Sequence, residues 1–110
     1  MVYEIYLTFH FEAKSSKSID NTFNKIKKIL EKDLELKILN IQNYSFLVKK
    51  EFYHWEKCVY EIIKLSQEIG RQWIILGTIN FELTLWTNET KIIGVKNIEI
   101  SCQNIEKSME

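Results

Sequence analysis

Proline is absent from the 110 residues, and glycine is confined to Gly70, Gly77 and Gly94. A chain so poor in both breakers contains no flexible linker and no low-complexity tract, and no internal repeat is visible in it. The same scarcity demotes nucleotide-dependent chemistry, because no glycine opens a helix after a strand in the spacing that cradles phosphate. Cysteine is limited to Cys58 and Cys102, too few and too far apart in the chain for a disulfide framework and outside any C-x-x-C or Cys/His cluster. Buried or half-buried thiols are the expectation. His10 and His54 are the only histidines, and neither has Cys, Asp or His at ligand spacing, so neither a metal site nor a cofactor is expected. His54 and Cys58 stand four apart on a helix with no orienting acid, a spacing that produces a thiolate nucleophile less often than it arises by coincidence. Asp20 and Asp33, the only aspartates, flank a helix and read as end residues, which leaves a paired-carboxylate hydrolase little to stand on. The chain reads as a binding domain and not as an enzyme.

Arg71 is the only arginine, and fifteen basic residues balance fifteen acidic ones. Nucleic-acid binders carry a basic excess and arginine forks, so no nucleic-acid partner is expected. The balance is uneven along the chain: residues 1–50 carry nine lysines against six acids, a net +3, and residues 51–110 carry a net −3. Such asymmetry either steers a charged partner or reflects ordinary surface scatter. No apolar stretch is long enough to span a bilayer, and Met1 to Phe11 alternate instead of forming a signal-peptide run. A cytoplasmic location with no membrane partner follows as the default.

What is present suits one folded α+β domain over residues 1–110, since 45% apolar and 13% aromatic residues suffice for one core at this size. Tyr3, Ile5, Leu7, Phe9 and Phe11 alternate with Glu4, Tyr6, Thr8, His10 and Glu12, the pattern of a strand with one buried face. Ser18 can cap a helix whose Ile19, Phe23, Ile26 and Leu30 form one stripe. Residues 36–49 alternate imperfectly around Gln42 and Asn43; one long kinked strand is expected, with a short hairpin as the alternative. A second helix over roughly Phe52 to Ile69 turns Trp55, Val59, Ile62, Ile63 and Ile69 inward and ends at Gly70. Trp73 to Leu85 reads as strand, its early part buried on both sides and Gly77 a bend or bulge. Thr87 to Thr90 form a polar turn, and Ile92 to Cys102 return antiparallel with a register break at Lys96 and Asn97. The expected fold is a mostly antiparallel sheet of four to five strands with two helices packed on one face, in the order β-α-β-α-β-β-β.

Two aromatics fall on faces that are otherwise polar. Tyr6 lies between Glu4 and Thr8, and Trp86 follows Asn80, Glu82 and Thr84. Aromatics ringed by acids are a common make-up of a contact hot spot, but for Trp86 closing the edge of the core is the favoured expectation.

The segments Gln72-Trp73-Ile74-Ile75-Leu76-Gly77-Thr78-Ile79, Leu85-Trp86-Thr87-Asn88 and Ile93-Gly94-Val95, about a third of the chain, resemble the W-x-x-x-G-x-I, tryptophan-hairpin and I-x-G-V pattern of small immunity proteins. These are the antitoxin partners of contact-dependent growth inhibition and related polymorphic toxin systems. The resemblance implies a mechanism without turnover, in which the chain forms a heterodimer with a toxin's C-terminal domain, often a nuclease, and occludes its active site. A nuclease cleft is basic because it must attract a polyanion, so an inhibitor gains by presenting carboxylates. On that reading Glu82, Glu89 and Glu99, around Trp86, are the partner-binding candidates. The alternative is a ferredoxin-like regulatory or scaffold module that pairs sheet edges as a homodimer. An enzyme using Cys58 or His54, and an RNA-binding sheet, rank behind these two.

Overall fold

A computed structural model describes residues 2–12, 15–33, 38–42, 45–77 and 82–104. The alternation at the start produces strand β1, Val2–Phe11, with Tyr3, Ile5, Leu7 and Phe9 buried on one face. Two strands pair with it antiparallel, β3 (Ser45–Glu51) and β8 (Val95–Asn104). Adding β2 (Ile38–Gln42), β5 (Ile74–Gly77) and β6 (Glu82–Thr87) completes a six-stranded sheet of order β2-β3-β1-β8-β6-β5, every described pairing in it antiparallel. Helices α1 (Ser16–Asp33) and α2 (Trp55–Ile69) pack on one face, and a two-residue ladder joins β4 (Gly70–Arg71) to β7 (Glu89–Thr90). The expected α+β class, with two helices over an antiparallel sheet, is the class found.

The core lies between the helices and the sheet. Phe23, Ile26 and Leu30 of α1 are buried, and the Phe23 ring stacks on Phe46 of β3 at 4.4 Å between centroids. Phe9 meets the same Phe46 edge-on at 5.9 Å. On the other side Tyr3 touches Phe52 and Trp55, at 5.7 and 5.6 Å. From α2, Cys58, Ile62, Leu65 and Ile69 reach the sheet, where Leu83, Leu85, Ile98, Ile100 and Cys102 complete one continuous apolar cluster. Burying each large aliphatic or aromatic side chain contributes roughly 1.5–3 kcal/mol, so this face holds the fold together.

Several local expectations are corrected. Helix α1 starts at Ser16, and Ser15, not Ser18, caps it: the Ser18 amide donates to the Ser15 hydroxyl at 3.2 Å. Ile38–Gln42 and Ser45–Glu51 pair antiparallel, β2 against β3, instead of forming one kinked strand, which takes the sheet to six strands. The proposed turn residue Asn43 lies outside the described residues. The stretch from Trp73 to Leu85 is not one strand: β5 pairs antiparallel with β6, with Gly77 opposite Leu83, and the readings made for residues 78–81 lie outside the described residues. Ile74, Ile75 and Leu76 are not buried on both sides but 56, 46 and 65% exposed, because β5 is an edge strand. Gly70 ends α2 for a reason other than a left-handed turn. Its φ of −164° is extended, but a Cβ there would meet the Thr87 methyl at 2.9 Å and the Trp73 ring at 3.0 Å. Within the polar segment 87–90, Thr87 is buried, and Glu89 and Thr90 are paired as strand. The break at Lys96 is where expected: His10 pairs with Asn97 and Phe11 with Val95, so Lys96 is the inserted residue of a bulge.

Candidate functional site

Because both helices occupy one face of the sheet, the opposite face carries the outward residues of each strand. Their order across the sheet follows from the register. One row runs Ile74, Trp86, Glu99, Thr8 and Ser45; the next runs Leu76, Thr84, Ser101, Tyr6 and Leu47; a third runs Glu82, Gln103, Glu4 and Lys49. Strands stand about 4.8 Å apart, so the four strands from β5 to β1 present a face roughly 15 Å wide.

The period of two along each strand decides which residues share this face. Trp86, at 38% exposure, sits between Ile74 and Glu99, and Tyr6, at 41%, has half-buried Leu47 on one side and Ser101 on the other. Trp86 is therefore a surface residue and does not close the core. Ile74 and Leu76 extend the apolar surface to the sheet edge. Carboxylates stand around it, Glu99 beside Trp86 and Glu82 two residues before Thr84, with Glu4 two residues before Tyr6. A hydrogen bond to the Glu4 carboxylate and its negative charge hold the Tyr6 phenol above its ordinary pKa, since losing the proton would forfeit the bond and set two negative charges together. Lys49, across from Glu4, is the cation on these rows; His10 lies one row beyond Thr8. Nearer β3 the face is internally satisfied, the Ser45 hydroxyl donating to Thr8 at 3.2 Å.

Three of the four partner-binding candidates, Glu82, Trp86 and Glu99, thus share one face. Glu89 does not lie on these rows; it is in β7, opposite Arg71 in the small ladder. Buried Thr87 ties that ladder down, its hydroxyl donating to the Arg71 carbonyl and accepting from the Glu89 amide. Sequence reasoning missed Ile74 and Leu76, whose apolar character read as core, and Glu4. Tyr6 carried a signal of its own, an aromatic in the polar phase of β1, but nothing in the sequence says that β8 and β6 set it two strands from Trp86.

The reactive-looking residues do not converge. His54 is exposed, its imidazole 3.3 Å from the Glu56 carboxylate, whereas Cys58 is fully buried with its sulfur 3.4 Å from that of Cys102. Among the described residues no three His, Cys, Asp or Glu side chains are placed to hold a metal ion. On the helix side of β5 an open cavity of about 500 Å³ is lined by Ile63, Gln67, Arg71, Trp73, Ile75 and Lys91. The hydroxyl of Ser66, also in the lining, donates to the Ile63 carbonyl, and the Trp73 indole donates to the Ser66 carbonyl. Among the described residues no helix is long and apolar enough to cross a membrane. In comparisons with family models, curated proteins and solved structures, the chain matches none.

Proposed function

We propose that this chain is an immunity protein, which binds a cognate bacterial toxin domain and neutralises it by occluding the active site. One observation carries the reading: the uncovered sheet face sets Trp86, Tyr6, Ile74 and Leu76 among Glu4, Glu82 and Glu99. Large apolar and aromatic side chains supply contact energy at the centre of an interface, and surrounding carboxylates favour a basic partner and speed the encounter. A nuclease domain, whose cleft must attract a polyanion, is the partner chemistry this face suits best. The complex is a one-to-one heterodimer formed inside the producing cell, with no cofactor.

Co-expression with a toxin domain encoded beside this chain should restore growth and yield a stable complex on purification. Trp86→Ala should weaken the complex about thirtyfold or more, the usual cost of removing a central aromatic. Failure to co-purify with that domain would end the proposal.

A second reading is supported by a separate feature. Strand β5 is an apolar sheet edge without a charged residue between Gln72 and Gly77, and natural edges of this kind are usually blunted or covered. In a homodimeric regulatory or scaffold module two copies would pair β5 edge to edge. Light scattering on the purified chain separates the two: a tight dimer that Leu76→Lys converts to monomer favours the module.

A further inference from the structure

Cys58 in the first turns of α2 and Cys102 near the end of β8 are 44 residues apart in sequence, yet their sulfur atoms lie 3.4 Å apart in the core. Both are free thiols, and their exposures are 0 and 1%. Their surroundings are apolar: Cys102 stands opposite Ile5 of β1 and Leu83 of β6, and Ile62 lies one turn along α2 from Cys58. A disulfide requires the sulfurs to close from 3.4 Å to about 2.0 Å.

We propose that Cys58 and Cys102 are a latent redox lock, closed to an intramolecular disulfide by a low-molecular-weight disulfide of the glutathione class when α2 lifts from the sheet. In the opened chain one cysteine thiolate attacks a sulfur of the co-reactant, forming a mixed disulfide and expelling one thiolate. The second cysteine thiolate then attacks the protein-side sulfur and expels the other. The two protein thiols give up two protons and two electrons, and the co-reactant takes up both as two thiols.

Opening is required because neither sulfur meets solvent in the closed fold. In addition, the hydrogen bond with Cys58 and burial hold the Cys102 thiol far above its ordinary pKa, so Cys102 offers little thiolate while the fold is closed. The lock is therefore silent while α2 is packed and acts on chains whose helix has loosened. Its consequence is directional. The closed loop, residues 58–102, contains β5, β6 and most of β8, the segment that carries Trp86, Glu82, Glu99 and the apolar edge. Cross-linking restricts the unfolding of that half and leaves β1, α1 and the β2–β3 hairpin outside the loop.

The test uses the full chain incubated with glutathione disulfide, in buffer and in urea below the unfolding midpoint, then alkylated with a maleimide and weighed intact. Expected are a mass loss of two hydrogens, no maleimide uptake on denaturation, and a linked Cys58–Cys102 peptide. The reaction should accelerate with urea, and the product should melt about 10 °C or more higher and revert with dithiothreitol. Cys58→Ala and Cys102→Ala should show no such rise. Persistent glutathione adducts, covalent dimers, or an oxidised chain that melts no higher than the reduced one would overturn the proposal; each is read on the unsubstituted protein.

Discussion

Single residues here act through the exact place their neighbours give them. Thr87 is a short polar side chain buried at the end of β6, and its hydroxyl satisfies the Arg71 carbonyl and the Glu89 amide together. Thr87→Val keeps the volume but strands both groups, so chemical denaturation should read a loss of about 1–3 kcal/mol. Gly70 is a matter of space: Gly70→Ala drives a methyl into Thr87 and Trp73 and should cost about 1–3 kcal/mol, whereas relief of glycine flexibility alone would predict a gain. Tyr6 and Glu4 form the third case. The phenol is raised by its bond to Glu4, so the stability linked to this pair is complete below the ordinary tyrosine pKa of 10.0 and declines as pH climbs through the folded value. Ultraviolet titration should place the Tyr6 transition above 10, and Glu4→Gln should bring it down; an unchanged titration in that variant would contradict the assignment.

At the level of elements, periodicity was informative wherever one face was buried and silent where burial depended on neighbours. The stripe of α1 and the alternation of β1 are visible in the sequence because each element hides one side and wets the other, and Phe23, Ile26 and Leu30 are buried accordingly. Strand β5 defeated the same reasoning. Ile74, Ile75 and Leu76 have the composition of a strand buried on both sides, but among the described residues no strand lies beyond β5, so the composition that reads as core is left in solvent. Ile75→Lys or Leu76→Lys should then change stability by no more than about 0.5–1 kcal/mol, measured by urea unfolding, which a core position would not tolerate. The hairpin of β2 and β3 stood only as the alternative reading for a different reason: both strands are short, and the alternation across them keeps nearly the same parity, so a kinked strand and a hairpin have the same pattern until pairing is known.

For the whole molecule, the relevant quantity is the distribution of charge over the folded surface. Total charge is zero, but the uncovered face gathers Glu4, Glu82 and Glu99 around its aromatics, so a basic partner should associate faster at low ionic strength and more slowly as salt screens the field. Glu82→Lys with Glu99→Lys should slow association by about tenfold and flatten the salt dependence. Glu89→Lys should do less, since Arg71 stands opposite it in the ladder. The residue types and their parity along each strand were present in the sequence: an α+β chain, two amphipathic helices, Tyr6 and Trp86 in polar phases, and two thiols suited to a core. Which strands are neighbours was not. Strand order depends on long-range pairing between segments that carry no local mark of their partners, and that order sets Trp86 beside Glu99 and leaves β5 at the edge, while the packing of α2 on the sheet brings Cys58 against Cys102.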